Sequence, residues 1–122
     1  MKNSKTLSIS NPRVEYKTNP IGIDEKVPRF SWEIISSQRN TLQTAYQIRV
    51  AGSPDDLSNA QNLIWDSRKV IANTSNQVEY AGAALESRTR YYWQVKIWDN
   101  FGQETNWSAP SFWEMALLSQ ND

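Results

Sequence analysis

The chain has 122 residues with 13 basic and 13 acidic side chains, so its formal net charge is zero and it carries no electrostatic footprint for nucleic acid or an anionic membrane. It contains neither Cys nor His, which excludes disulfides, thiolate chemistry, a Ser-His triad and the commonest zinc ligand. Its length suits one domain with one core, and no apolar run approaches the ~18 residues of a membrane span.

Met1-Lys2-Asn3-Ser4-Lys5 lacks the apolar stretch of a secretion signal. The chain is therefore expected to be cytoplasmic unless a signal peptide has been removed, in which case it is secreted or periplasmic. Leu7 and Ile9 alternate with polar residues, and Val14 and Tyr16 continue the alternation after Pro12. Asn19-Pro20-Ile21-Gly22 reads as a turn. Phe30, Trp32 and Ile34 then alternate with Arg29, Ser31 and Glu33, and Tyr46, Ile48 and Val50 alternate with Gln47 and Arg49. Ser53-Pro54-Asp55-Asp56 has the form of a helix start, with Ser as N-cap, Pro in the first turn and an acid closing the box. The run to Ala60 leaves room for a short helix only.

The segment Leu63 to Val70 predicts a strand around Trp65, and Val78 with Tyr80 a shorter one around Glu79. The strongest alternation sets Tyr91, Trp93, Val95 and Ile97 against Tyr92, Gln94, Lys96 and Trp98. Asn100-Phe101-Gly102 ends it with a residue able to take positive φ. The last alternation covers Ser111 to Met115. Period two throughout is the pattern of half-buried antiparallel strands. About seven such strands predict an all-β fold, a two-sheet antiparallel β-sandwich. The sandwich is expected to span residues 1–118, with the polar Ser119 to Asp122 opening a linker. Trp32, Tyr46, Ile48, Val50, Leu85, Tyr91, Trp93, Val95 and Ile97 form the inward set.

Leu85, Tyr91, the buried-phase Trp32 and the segment Trp107-Ser108-Ala109-Pro110 resemble marks of fibronectin type III and immunoglobulin-like domains. Leu85 and Tyr91 have the spacing of a tyrosine corner, in which the Tyr hydroxyl ties back to an upstream backbone group. A sharper resemblance runs along nearly the whole chain. It is carried by Asn19-Pro20-Ile21-Gly22-Ile23-Asp24, Pro28-Arg29-Phe30-Ser31-Trp32, Ala45-Tyr46-Gln47-Ile48-Arg49-Val50-Ala51 and Trp65-Asp66-Ser67. Tyr92-Trp93-Gln94-Val95-Lys96-Ile97-Trp98-Asp99, Gly102, Trp107-Ser108 and Phe112-Trp113-Glu114-Met115-Ala116-Leu117-Leu118 complete it. In this order the segments resemble the opening of bacterial α-L-rhamnosidases. At Arg68-Lys69 the family often has Ser-Gly-Lys, so a different turn is expected there. The resemblance implies an N-terminal accessory domain of a multi-domain glycoside hydrolase whose catalytic acids sit in a downstream (α/α)-barrel. None of those acids maps onto this chain.

A glycosidase needs two carboxylates about 5–10 Å apart across a sugar cleft. Here Glu33, Asp55, Asp56, Asp66, Glu79, Asp99 and Glu114 are spread singly along strands and turns, and they read as solvated surface charge. Asp55, Asp56 and Asp66 lack the ligand density of a calcium loop, and capping accounts for Asp56. No catalytic residue, cofactor or metal site is expected. The tryptophans are the open question. Trp98 lies on the phase opposite Trp93, Trp107 lies in a loop, Phe101 lies in the turn between them, and Trp65 and Trp113 fit either phase. Trp98, Phe101 and Trp107 are candidates for an outward aromatic surface. Such a surface either docks on another domain of the parent glycosidase or, as in a carbohydrate-binding module, stacks on sugars such as rhamnose-containing glycans. Docking is the preferred reading, because large aromatics are enriched at interface cores.

Overall fold

The computed structural model describes residues 7–117. The elements are β1 (Leu7–Val14), β2 (Ile21–Ile23), β3 (Arg29–Ser36), β4 (Gln43–Ala51), α1 (Pro54–Asn59), β5 (Trp65–Asp66), β6 (Val70–Ile71), β7 (Val78–Glu79), β8 (Arg90–Asp99) and β9 (Ser111–Met115). They form a β-sandwich. One sheet has the order β1-β3-β7, and the other has the order β2-β9-β8-β4-β5 with β6 also on β4. The expected domain end at residue 118 and the linker 119–122 lie outside the described residues, as does the amino-terminal stretch before Leu7.

Nine strands are described where about seven were expected, and two local causes account for the difference. The single strand expected from Leu63 to Val70 is split in two by Arg68, whose φ is 59°. This is also where the family resemblance broke. The expected turn at Asn19 to Gly22 contains β2, which runs parallel to β9 and is the one departure from antiparallel pairing among the described strands. Asn19 (φ 46°) and Gly22 (φ 80°) take the left-handed conformations of the turn, and between them Pro20 O accepts from Glu114 N at 3.0 Å. Only Ile23 of β2 is buried, so three residues show no periodicity to read.

β1 passes through Pro12 as one strand, because an edge strand tolerates a missing N–H. It carries a bulge between Ser10 and Arg13, with Asn11 at φ 52°. The alternation expected to continue to Tyr16 stops at Val14, and Tyr16 stands exposed in the turn that follows.

The inward set packs as its phase requires. Trp32, Ile48, Val50, Tyr91, Trp93, Val95 and Ile97 are buried, and Tyr46 and Leu85 are partly buried against them. Trp113 and Met115 join from β9, so Trp113 takes the inward phase. Phe30 from the small sheet meets Trp93 and Trp113 from the large one, with ring centroids 4.7 and 5.5 Å away. Burying a side chain as large as Trp93 stabilises by up to ~5 kcal/mol on area bookkeeping. The tyrosine corner is present: Glu86 N donates to the Tyr91 hydroxyl at 2.8 Å. The short helix is capped as its sequence demands. Ser53 Oγ accepts from Asp56 N at 3.1 Å, Leu57 is buried, and Ala60 closes the helix at φ 53°.

Candidate functional site

The outward face of the large sheet is set by the pairing of β4 with β8. Ala45 lies opposite Trp98, Gln47 opposite Lys96, and Arg49 opposite Gln94. Trp98 therefore stands on the outer face, as its phase requires, and is half-buried there. Trp107 reaches the same face from a loop that clips onto the edge of β8. Thr105 N donates to Ile97 O at 3.0 Å, and the Thr105 hydroxyl accepts from Ile97 N at 3.0 Å. Ser108 repeats the exchange with Val95, at 2.9 and 3.0 Å. Two hydroxyl side chains thus replace strand pairing and press Trp107 onto the sheet.

The two indoles flank Lys96, whose Nζ lies 5.5 Å from the Trp98 ring centroid and 5.6 Å from that of Trp107. Lys69 Nζ covers Trp98 at 4.6 Å, and the Arg49 guanidinium covers Trp107 at 4.4 Å. Each exposed cation–π contact contributes about 0.5–1 kcal/mol. The cations are themselves paired. Lys96 holds Glu104 at 2.5 Å, and its hydrogen bond and charge keep the Glu104 carboxyl below the usual carboxylate range. Arg49 Nε lies 3.6 Å from Asp66 Oδ2, while Asp66 Oδ1 accepts from Gln47 Nε2 at 2.9 Å and from Arg68 N at 2.8 Å. The face is a lattice of rings and charges in which each indole already carries cations of this chain.

Phe101 is 45% exposed at the tip of the turn after β8 and shares no ring contact with Trp98 or Trp107 among the described residues. The structure brings the two indoles together and sets the phenyl apart, at the end of the sandwich where Leu42 and Ile71 are also exposed. Asp99 shapes that turn, and its Oδ1 accepts from Phe101 N at 2.9 Å and Gln103 N at 2.8 Å. The expectation of a solvated charge at Asp99 is corrected here. Its side chain is buried and spent on holding backbone N–H groups, as a carboxylate at a turn commonly is. Among the described residues, no three acidic side chains gather where they could hold a metal ion.

A second surface was not found from the sequence. Val14 and Lys17 exchange two backbone hydrogen bonds, of 2.9 and 3.0 Å, around Glu15 (φ 50°) and Tyr16 (φ 65°). This is the pattern of a type I′ turn, which favours Asn and Gly. Two ordinary side chains in left-handed backbone cost roughly 1–2 kcal/mol each. Glu15 holds the conformation by accepting from Arg29 N at 2.7 Å, Nε at 3.1 Å and Nη2 at 2.8 Å. These bonds lower the Glu15 carboxyl and raise the Arg29 guanidinium from their ordinary values. Beside the turn lies a groove of about 300 Å³ with Tyr16 on its rim. With no Gly or Asn between Val14 and Lys17, the sequence offers no turn signal there.

Residues 9–119 match the family model described as the N-terminal immunoglobulin domain of Rha78A-like proteins. An α-L-rhamnosidase of Streptomyces avermitilis is 46% identical over 112 residues, which is 92% of this chain and 11% of that protein. One from Formosa agariphila is 40% identical over 117 residues, or 96% of this chain and 12% of that protein. Among solved structures, the Streptomyces avermitilis α-L-rhamnosidase complexed with L-rhamnose matches with a TM-score of 0.90 at 44% identity, over 95% of this chain and 11% of that one. The α-L-rhamnosidase from Dictyoglumus thermophilum matches with a TM-score of 0.89 at 33% identity, over 93% of this chain and 13% of that one.

Proposed function

We propose, from the premise that this chain belongs to the Rha78A-like N-terminal immunoglobulin domain family, that it is a non-catalytic accessory domain which packs on and orients the catalytic part of an α-L-rhamnosidase. The observation that carries the reading is one of proportion. The chain matches curated α-L-rhamnosidases along 92–96% of its own length and 11–12% of theirs.

The contact surface in this proposal is the outer face at Trp98 and Trp107, with Phe101 as an outlying contact. Cations of the chain already lie over both indoles. That arrangement suits a preorganised protein contact better than a platform that must bare a ring face to a sugar. Mixed charge around half-buried aromatics is also the composition of an interface between domains of one chain.

The test uses the domain within a full-length α-L-rhamnosidase. Replacing Trp98 and Trp107 together by Ala should lower the unfolding temperature of the enzyme and loosen the domain to limited proteolysis. The domain expressed alone should not hydrolyse aryl α-L-rhamnosides. An enzyme that loses no more stability than the isolated domain does, with unchanged turnover, would refute the docking role.

A further inference from the structure

We propose that the groove beside Tyr16 binds a neutral sugar ring, a role separate from docking and carried by the opposite sheet. Its floor is β3, where the small Ser31 leaves space next to Glu33. One wall is the segment at Ser75 and Asn76, laid along β3 by the bond from Trp32 N to Ser75 O at 2.9 Å. The other wall is built from two irregularities of the edge strand. The β1 bulge brings Asn11 and Arg13 to the groove, and the left-handed turn brings Tyr16. Strained backbone held in place by a dedicated ion pair is a feature that clusters at binding sites.

The chemistry of the lining selects the ligand class. Sugar hydroxyls are donors and acceptors at once, and Glu33, Arg13, Asn11 and Asn76 offer both. Asn11 Nδ2 donates to Glu33 Oε1 at 3.1 Å, which orients the amide and leaves the second carboxylate oxygen to accept. Among the described residues Arg13 has no ion-pair partner. One guanidinium and one carboxylate facing the same space cancel, so neither an anion nor a cation is favoured over a neutral ligand. The apolar C–H face of a pyranose needs a bare aromatic ring. Tyr16 is 48% exposed and, among the described residues, has no cation over its ring, unlike Trp98 and Trp107. A volume of about 300 Å³ is at the lower end for small-molecule pockets and suits a single ring.

The experiment is an NMR titration of the 122-residue chain with L-rhamnose and a panel of neutral hexoses. Saturable shifts confined to Asn11, Arg13, Tyr16 and Asn76 are expected, with a dissociation constant of about millimolar. They should be unchanged in about 0.5 M salt, which screens charge but not stacking. Tyr16→Gly should weaken binding at least about tenfold while preserving the melting temperature, because glycine adopts φ near 65° without strain. Trp107→Ala, in the loop over the outer face of the other sheet, should leave the affinity unchanged. Absence of saturation, full affinity in Tyr16→Gly, or shifts centred on the Trp98 and Trp107 indoles would overturn the proposal. So would shifts in the groove that follow addition of the separately expressed remainder of the parent enzyme and not of sugar. Absence of saturation or full affinity in Tyr16→Gly would leave the docking role untouched, because that role is tested on the other face.

Discussion

Trp32 donates its indole Nε1–H to the side-chain oxygen of Gln43 across 2.8 Å, and the two residues belong to different sheets. Gln43 is buried, and its amide nitrogen donates to Ala72 O at 3.2 Å and Thr74 O at 2.7 Å. One amide thus fastens the sheets to each other and to the segment that walls the Tyr16 groove. Gln43→Leu keeps most of the volume and abandons the indole N–H and two carbonyls. The expected loss is about 2–4 kcal/mol, seen as a lower urea midpoint with an unchanged slope.

Gly82 sits where a side chain has no room. A Cβ there would lie 2.5 Å from the Cβ of Trp65 and 2.5 Å from the Tyr80 hydroxyl. Neither neighbour is free to yield. The Tyr80 hydroxyl donates to Ala83 O, and its ring packs edge-on against Trp65 at 5.1 Å. Burial pushes that hydroxyl up to about 12, so it remains a donor at any working pH. Gly82→Ala should cost about 1–3 kcal/mol. Gly52→Ala meets nothing within 4 Å among the described residues and should be neutral or slightly stabilising, through the stiffer unfolded chain. A pair of thermal melts compares the two.

What the sequence disclosed and what it hid have separate physical causes. The long alternations at Phe30 to Ile34, Tyr46 to Val50 and Tyr91 to Ile97 were legible because a sheet with one buried face forces period two on the residues that fill it. The opposition of Trp98 to Trp93 followed from the same rule. Helix capping at Ser53 was legible because the cap uses side chains. β2 was hidden because it is held by backbone bonds in which the Pro20 and Ile23 carbonyls accept from Glu114 N and Ala116 N, and these leave no mark on residue type. The Tyr16 turn was hidden because an ion pair between Glu15 and Arg29 does the work that Gly or Asn would do. The burial of Asp99 was hidden because its partners are backbone N–H groups of the next turn.

The Glu15 to Arg29 pair makes one element of stability depend on pH. Hydrogen bonds from Arg29, chiefly side chain to side chain, hold the Glu15 carboxyl below its ordinary value. The folded state therefore releases this proton at a lower pH than the unfolded state does. The stability it contributes is complete above the ordinary carboxylate range and disappears as pH falls through the depressed folded value. Glu15→Gln should unfold at a lower denaturant concentration than the parent chain at neutral pH. The gap between the two should close as pH drops below about 4. Arg29 stays charged across that interval, so the change reports Glu15 alone.

Trp93 and Trp98 test the phase of β8 from its two sides. Trp93 is 1% exposed, with Phe30 at 4.7 Å, and its buried indole Nε1 has no hydrogen-bond partner among the described residues. Trp93→Ala opens a cavity between the sheets and should cost about 3–5 kcal/mol. Trp93→Phe removes the unpaired N–H along with part of the ring. The relief from that orphan donor, about 1–3 kcal/mol, should offset much of the lost volume, so the Phe variant should lie far closer to the parent than the Ala variant does. Trp98 stands on the outer face under Lys69 and Lys96. Trp98→Ala removes two exposed cation–π contacts and should cost about 1–2 kcal/mol. Denaturant melts of the three variants check the order. A loss below about 1 kcal/mol for Trp93→Ala would place that side chain on the outer face and shift every inward residue of β8 with it.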